Sequence, residues 1–297
     1  MIGRRALGKA TALPQPVHDV YVKVNQNIGL LDPAERALPN FFVAGTQRGG
    51  TTSLFIYLLK HELVHGPRRA KGVHYFDTNY DKSIDWYRGN FPRVSTLKAQ
   101  QDEHGFVPAV GEGAPYYLYS PVIPARIHAM NPGARIIAVL REPLDRAISH
   151  HNHEVKRGFE TLDLEEAFAA EESRLAGEVE KIEADSGYVS KPHIHHAYLG
   201  RGQYADQIAR YLDLFGPDKV LVLDSAALSE EPEATVRRAT DFLELPPLTG
   251  MEYPRYNKRQ YDPVDPGIRA RWGSAFDRSN KSLRELLPDG AISWLEQ

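Results

Sequence analysis

The sequence contains no cysteine among its 297 residues. This absence excludes disulfides, thiolate nucleophiles and zinc sites with cysteine ligands. Apolar runs are short, and none approaches the roughly 20 residues that a membrane-spanning helix needs. A formal net charge of -3 argues against a nucleic-acid coat or a polybasic membrane-surface protein. No apolar signal segment follows Arg4 and Arg5, so we expect a cytoplasmic protein with no nucleic-acid partner and no membrane span.

The patterning that is present predicts an α/β fold. Short apolar runs predict strands at 40–44, 107–111, 134–140 and 219–223. They alternate with segments predicted to be helical at 52–60, 121–130, 143–157, 164–184, 204–215 and 233–243. Strands that alternate with helices favour parallel βαβ units with helices on both faces of the sheet. We therefore expect a P-loop-type three-layer sandwich with a central, mostly parallel sheet. Residues 1–38 show little periodicity and are predicted to be an N-terminal extension, followed by a single domain over 39–297.

A glycine-rich turn follows the first predicted strand and precedes a helix predicted over 52–60. It reads Gly45-Thr46-Gln47-Arg48-Gly49-Gly50-Thr51-Thr52. Glycines let a backbone approach a ligand closely, and the amides at a helix start attract anions. The glycine spacing resembles a Walker A loop, but Thr51 stands where that motif has its lysine. The arginine inside the turn suits a single 5′-phosphate, so the predicted phosphate ligands are Gln47, Arg48, Gly49, Gly50, Thr51 and Thr52.

A second anion-binding motif follows the strand predicted over 134–140. Arg141 lies at the carboxyl end of that strand, where α/β sheets place their ligands. Pro143 suits the first turn of a helix, and about two turns later Ser149 returns to the same side. Arg141 and Ser149 are therefore predicted to bind one further phosphate.

In this order, the two motifs resemble those of sulfotransferases that use 3′-phosphoadenosine-5′-phosphosulfate (PAPS), particularly heparan sulfate sulfotransferases and their bacterial relatives. The resemblance extends over about 39–296, with landmarks at 73–77, 86–87, 111–117 and 242–243. It implies that a sulfuryl group moves from PAPS to a hydroxyl or amine of a carbohydrate, lipid or small molecule, with release of 3′,5′-phosphoadenosine (PAP). No metal is expected.

The resemblance also suggests further site residues. Relatives usually have a lysine where this chain has Arg48, which implies a role for Arg48 in stabilising the leaving group. Asn257-Lys258-Arg259 is similar to a basic loop that closes over the nucleotide in relatives. A solvated pair of loop charges is the alternative reading of Lys258 and Arg259.

The general base is less directly indicated. The landmark at 73–77 reads Val73-His74-Tyr75-Phe76-Asp77. Heparan-type relatives have a glutamate two residues before its histidine, and here that position is Gly72. We hypothesise that His74 is the base, because its ordinary pKa near 6.5 suits proton transfer at neutral pH. Asp77 or Glu112 would orient it. Glu112 is the rival base, and a packed histidine and a supporting carboxylate are the structural alternatives for the two residues.

Two other functions remain open at this stage. The run Val220-Leu221-Val222-Leu223-Asp224 imitates a Walker B strand, which would suit a P-loop kinase or NTPase with magnesium on Asp224. A nucleotide-binding scaffold without catalysis is the second alternative, since Gly72 replaces the usual base and Gly113 replaces a lysine that some relatives have. Acceptor-lining residues are predicted among the aromatic and charged segments, including Tyr75, Tyr116, Tyr117, His151 and the 185–200 loop.

Overall fold

The computed structural model describes residues 31–68, 71–254 and 266–296. A parallel sheet forms its centre, and every pairing in it is parallel. Its strands are β1 (Phe41–Gly45), β2 (Val64–His65), β3 (Ala109–Gly113), β4 (Arg135–Leu140) and β5 (Val220–Asp224). They lie in the order β2-β3-β1-β4-β5. The central strand β1 is buried throughout, because parallel strands are covered on both faces and therefore have continuously apolar sequences.

Helices connect the strands and cover the sheet. Those of the described residues are α1 (Thr51–Leu58), α2 (Ile84–Arg88), α3 (Val94–His104), α4 (Ile123–Met130), α5 (Pro143–Arg157), α6 (Leu164–Leu175), α7 (Glu178–Ala184), α8 (Lys191–His195), α9 (Tyr204–Phe215), α10 (Ser225–Glu230), α11 (Pro232–Phe242), α12 (Pro266–Trp272) and α13 (Asp277–Leu286).

The alternation of side chains along β1 divides the core into two layers. Phe41 and Val43 pack in one apolar cluster with residues of α1, α10 and α11. Phe42 and Ala44 pack in another with residues of α4, α9 and α13. Successive side chains of a strand point to opposite faces, so the sheet lies between two helical layers. The predicted three-layer α/β sandwich is confirmed.

Most predicted elements are present, with local differences. The helices at 143–157 and 204–215 have the predicted bounds. The segment 164–184, predicted as helical, forms two helices because Gly177 adopts a φ of 74° between them. The strand predicted at 107–111 runs instead over 109–113. Helix α3 was not predicted, since none of its residues is buried and its sequence therefore lacks an apolar stripe.

The predicted domain boundary near residue 38 stays a prediction, because residues 1–30 lie outside the described part. In the adjoining segment, Arg36 is buried. Its Nε donates to Asp32 Oδ1 over 2.7 Å, and its Nη1 donates to the Phe91 carbonyl over 3.0 Å. Residues 32–36 thus contact the domain. Among the described helices, none has both the length and the apolar character required to cross a bilayer.

Candidate active site

The glycine-rich turn lies where β1 ends and α1 begins. Gly50 adopts a φ of 97° at the N-cap of α1, in the left-handed region that glycine favours. A Cβ at Gly49 would lie 2.5 Å from the Val139 carbonyl oxygen, so the turn packs closely against β4. The first amides of a helix have no acceptor within it. The start of α1 therefore offers donors for an anion at the carboxyl end of the sheet.

The two predicted anion motifs meet through their side chains. Arg48 Nε donates to Ser149 Oγ over 3.0 Å, which joins residues 101 positions apart in sequence. Ser149 is buried on α5. Arg141 follows β4, the parallel neighbour of β1, and its side chain is 33% exposed. Parallel neighbouring strands end at the same edge of a sheet, so Arg141 lies at the same edge as Arg48.

A buried polar network holds the turn against α5. Gln47 Nε2 donates to Glu154 Oε1 over 3.4 Å, and Arg201 Nη1 donates to Gln47 Oε1. Burial raises the pKa of Glu154, but His150 at 3.5 Å and a hydrogen bond from His195 (2.9 Å) outweigh it and lower the value to about 2. Glu154 is therefore ionised at neutral pH. Arg201 was not identified from the sequence, where it lies in a short turn with no recognisable pattern.

Lys71 is a second residue that sequence reasoning missed. Its Nζ donates to Thr51 Oγ1 over 2.6 Å. Its carbonyl accepts from the Gly113 amide over 2.8 Å, so the lysine is held against the end of β3. Burial lowers the pKa of Lys71 to about 7. The only available signal was its position three residues before His74.

The chain cannot have the glutamate of heparan-type relatives at position 72 in this conformation. A Cβ at Gly72 would lie 2.8 Å from the Gly113 carbonyl oxygen and 3.5 Å from the Cβ of Ala114. The first distance is shorter than the contacts that Cβ atoms make with backbone oxygens in proteins. The segment and the end of β3 are thus packed around glycine.

His74 and Asp77 form a hydrogen-bonded pair. His74 Nδ1 and Asp77 Oδ2 are 2.8 Å apart, with the histidine side chain 47% exposed and the aspartate side chain 4% exposed. With Nδ1–H donating to the carboxylate, Nε2 is the nitrogen that accepts a proton. Partial burial lowers the pKa of His74, but the hydrogen bond and charge of Asp77 raise it above its ordinary value.

The backbone of His74 is strained. Its φ is 57°, in a region that costs a non-glycine residue about 1–3 kcal/mol. The amides of Thr78 and Asn79 donate to its carbonyl over 3.3 and 3.0 Å, and Asn79 Nδ2 adds a bond of 3.1 Å. These bonds fix the turn and place the imidazole beside Asp77.

Glu112 is fully buried and surrounded by donors. It accepts from the Val73 amide over 2.6 Å and from the hydroxyls of Tyr87 and Tyr117, each over 2.8 Å. Burial raises the pKa of this carboxyl. The contacts hold the segment that carries His74 against the sheet. The hypothesis that Glu112 is the base stays untested by this arrangement.

We expect Glu112→Gln to lower the free energy of unfolding by about 2–3 kcal/mol. The amide NH₂ would face hydroxyl and amide donors where the carboxylate accepted from them, so one buried group would lose its partner. Urea unfolding at pH 7 would measure the change, with Glu103→Gln on exposed α3 as the matched control. An unchanged unfolding midpoint in the Glu112 variant would contradict this structural role.

The carboxylate of Asp224 has other partners than a metal. Its Oδ1 accepts from the Ala226 amide at the start of α10, and its Oδ2 accepts from the Ser293 amide, each over 2.8 Å. The side chain is buried. Within residues 31–68, 71–254 and 266–296, no group of three histidine or acidic side chains could hold a metal ion. Lys258 and Arg259 lie outside the described residues.

A cleft borders Asp77, the hydrogen-bond partner of His74. It is lined by Phe76, Asp77, Tyr116, Ser120, Val122, Arg126, Ile182, Tyr188, Val189, Ser190 and Ile194. The lining includes Tyr116 and residues of the 185–200 loop, which were predicted to contact an acceptor. Tyr75, Tyr117 and His151, predicted with them, do not line this cleft and are buried.

Comparison with known proteins decides the family. The sequence model of the family described as "Sulfotransferase domain" matches residues 38–260 of this chain. The chain belongs to the sulfotransferase family. The resemblance inferred from the two anion motifs is confirmed.

Relatives of this sulfotransferase domain include eukaryotic and bacterial proteins. The membrane-associated sulfotransferase kil1 of Dictyostelium discoideum is 23% identical, covering 84% of this chain and 65% of its own. Heparan sulfate glucosamine 3-O-sulfotransferase 3A1 of Mus musculus is 30% identical, covering 73% and 48%. The chain therefore spans about half to two thirds of these relatives. A sulfotransferase structure from Alicyclobacillus acidocaldarius superposes with a TM-score of 0.60 at 28% identity, covering 84% of this chain and 96% of that one.

Proposed function

We propose that this sulfotransferase domain transfers a sulfuryl group from PAPS to a hydroxyl or amine, and releases PAP. The observation that carries the proposal is the 3.0 Å contact between Arg48 and Ser149. It joins the motif suited to a 5′-phosphate with the motif suited to a further phosphate. A nucleotide phosphorylated at both the 3′ and 5′ positions fits such a pair, whereas a nucleoside triphosphate needs a lysine after Gly50 that this chain lacks.

The residues present suit the donor on chemical grounds. PAPS supplies a sulfuryl group activated by its bond to a 5′-phosphate. Arg48, the hydroxyls of Thr51 and Thr52 and the amides at the start of α1 would bind that phosphate. Arg141 and Ser149 would bind the 3′-phosphate. Lys258 and Arg259 are proposed to cover the nucleotide, as the similar loop does in relatives.

Catalysis would depend on charge neutralisation and on one proton transfer. As the bond between sulfur and the 5′-phosphate oxygen breaks, Arg48 would stabilise the charge left on that oxygen. His74 Nε2 would accept the proton of the attacking hydroxyl, and Asp77 would hold the imidazole in the required tautomer. His74 is preferred to Glu112 because it is 47% exposed, while Glu112 is fully buried.

A carbohydrate is the acceptor class that the comparisons favour. The names of several relatives specify heparan sulfate glucosamine, and the cleft beside Asp77 combines aromatic and polar side chains that suit a sugar ring. Lipid and small-molecule acceptors remain within the same proposal. The cytoplasmic location expected from the sequence stays a prediction.

A P-loop kinase or NTPase is disfavoured by two observations. Thr51 replaces the Walker lysine, and Asp224 is bonded to the Ala226 and Ser293 amides. A scaffold without catalysis is disfavoured by the hydrogen bond that orients the half-exposed imidazole of His74 on Asp77, a residue that lines the cleft.

We expect PAP to bind in the presence of a chelator with at least about 100-fold higher affinity than ATP. The reason is that two separate phosphate sites match PAP, while a triphosphate would leave the second site empty. Isothermal titration calorimetry measures both affinities, and transfer of labelled sulfate from PAPS to a panel of acceptors tests catalysis. If PAP gives no heat, or if ATP with magnesium binds more tightly, the proposal is wrong.

A further inference from the structure

The start of α1 has a cation that does not come from the glycine-rich turn. A Walker A loop has a lysine directly after its last glycine, and Thr51 holds that position here. The amine of Lys71 lies 2.6 Å from the hydroxyl of Thr51. A lysine from the segment that follows β2 therefore reaches the place where the loop itself lacks one.

Gly113 makes room for this lysine. A Cβ at Gly113 would lie 2.5 Å from Lys71 Cε and 3.1 Å from Lys71 Cγ. The Lys71 side chain thus passes directly over the Cα of Gly113, and the backbone bond between the Gly113 amide and the Lys71 carbonyl fixes its origin. Lys71 can take this course because residue 113, at the end of β3, has no side chain.

Among residues 31–68, 71–254 and 266–296, no carboxylate forms an ion pair with Lys71. Within the part of the chain that the structure describes, the side-chain acceptor of its amine is the neutral hydroxyl of Thr51. The charged or titratable groups of its own segment include Arg68, His74 and Asp77, and Asp77 is paired with His74. Arg48 lies in the turn, and Glu112 lies at the end of β3. Glu112 is engaged by Val73, Tyr87 and Tyr117. An anion at the start of α1 would provide the missing counter-charge.

We propose that Lys71 is a second cation of the donor site and contacts the phosphosulfate bound at the start of α1. The inference rests on the proposed function. When the bond between sulfur and the 5′-phosphate oxygen breaks, its electron pair stays on that oxygen. The ammonium of Lys71 donates a hydrogen bond to the charge that develops there, and Arg48 donates from the turn. The lysine contacts the reacting group, so it is a catalytic residue.

The ionisation of Lys71 gives the proposal a readout that is independent of turnover. Burial lowers its pKa to about 7, so at pH 8 the amine is mostly neutral in the protein without nucleotide. Binding of an anion favours the charged form. Nucleotide binding at pH 8 should therefore take up about one proton at Lys71. The phosphates of PAP are already fully ionised at that pH, because their second pKa is near 6, and contribute no proton change.

The test is calorimetry with PAP at pH 8 in two buffers of different ionisation enthalpy. We expect Lys71→Met to bind PAP about 10- to 100-fold more weakly than the wild type and to lose the proton uptake assigned to the lysine. Because the charge of Lys71 lowers the pKa of His74, the comparison is repeated in the His74→Ala background, where His74 contributes no uptake. Lys98→Met on exposed α3, where the lysine pairs with Asp102, should behave as the wild type.

Gly113→Ala gives a second variant that leaves Lys71 in place. The added methyl would displace the lysine side chain, so PAP affinity should fall in the wild-type background and should not fall further in Lys71→Met. Equal PAP affinity and equal proton uptake in wild type and Lys71→Met would overturn the inference and leave the proposed function intact. Failure of the wild type to bind PAP would instead overturn the proposed function.

Discussion

Arg48→Met is expected to lower kcat for sulfate transfer by about 1000-fold, or about 4 kcal/mol of transition-state stabilisation. Arg48 is the cation within the glycine-rich turn, and its guanidinium also contacts Ser149. The substitution therefore removes the charge that meets the leaving phosphate and one link between the two anion motifs. Transfer of labelled sulfate from PAPS to the best acceptor of a screen measures the effect.

Two further variants make the Arg48 result specific. Arg48→Lys retains the charge that relatives have at this position but loses the fork geometry, so it should recover most of the lost activity. Arg237→Met on α11, where the arginine side chain is 71% exposed, should leave kcat unchanged. Near wild-type turnover in Arg48→Met would show that this arginine does not stabilise the leaving group.

His74→Ala is expected to lower kcat by about 100- to 10000-fold, the range for loss of a general base. The folded structure should persist, because the side chain is 47% exposed and its ion pair with Asp77 lies at the surface of the turn. Steady-state kinetics with saturating PAPS measure kcat. If His74→Ala retains near wild-type turnover while Glu112→Gln, in its folded fraction, is inactive, Glu112 is the base and our assignment is wrong.

The pH dependence of kcat gives an independent test of His74. The base must be neutral to accept a proton, and Asp77 raises the pKa of His74 above its ordinary value. Activity should therefore fall as the pH drops through that raised pKa. Asp77→Asn removes the carboxylate, so the acid limb should move to lower pH while kcat falls. An unchanged acid limb in Asp77→Asn would exclude titration of this pair as its cause.

Periodicity in the sequence predicted the elements that bury an apolar face. Helices α5 and α9 have the predicted bounds because each has a clear stripe of buried residues. Helix α3 has none, and β2 contains only two residues. Neither leaves a pattern of apolar residues that could be recognised.

The same limit applies to the candidate site. Motif spacing indicated Arg48 and Ser149, and the structure brings them within hydrogen-bond distance. Lys71 and Arg201 reach the glycine-rich turn from segments that are distant in sequence. Their contributions depend on packing between elements, such as the passage of Lys71 over Gly113. A contact of this kind between two segments leaves no local pattern in the sequence.

The strained turn at His74 has a consequence for acceptor binding. Four hydrogen bonds to its carbonyl, from the backbone and side chains of Thr78 and Asn79, hold the turn in one conformation before any acceptor arrives. Its conformational entropy is therefore already lost when the protein folds. An acceptor would meet an imidazole that is already oriented, and its binding free energy need not be spent on ordering that side chain.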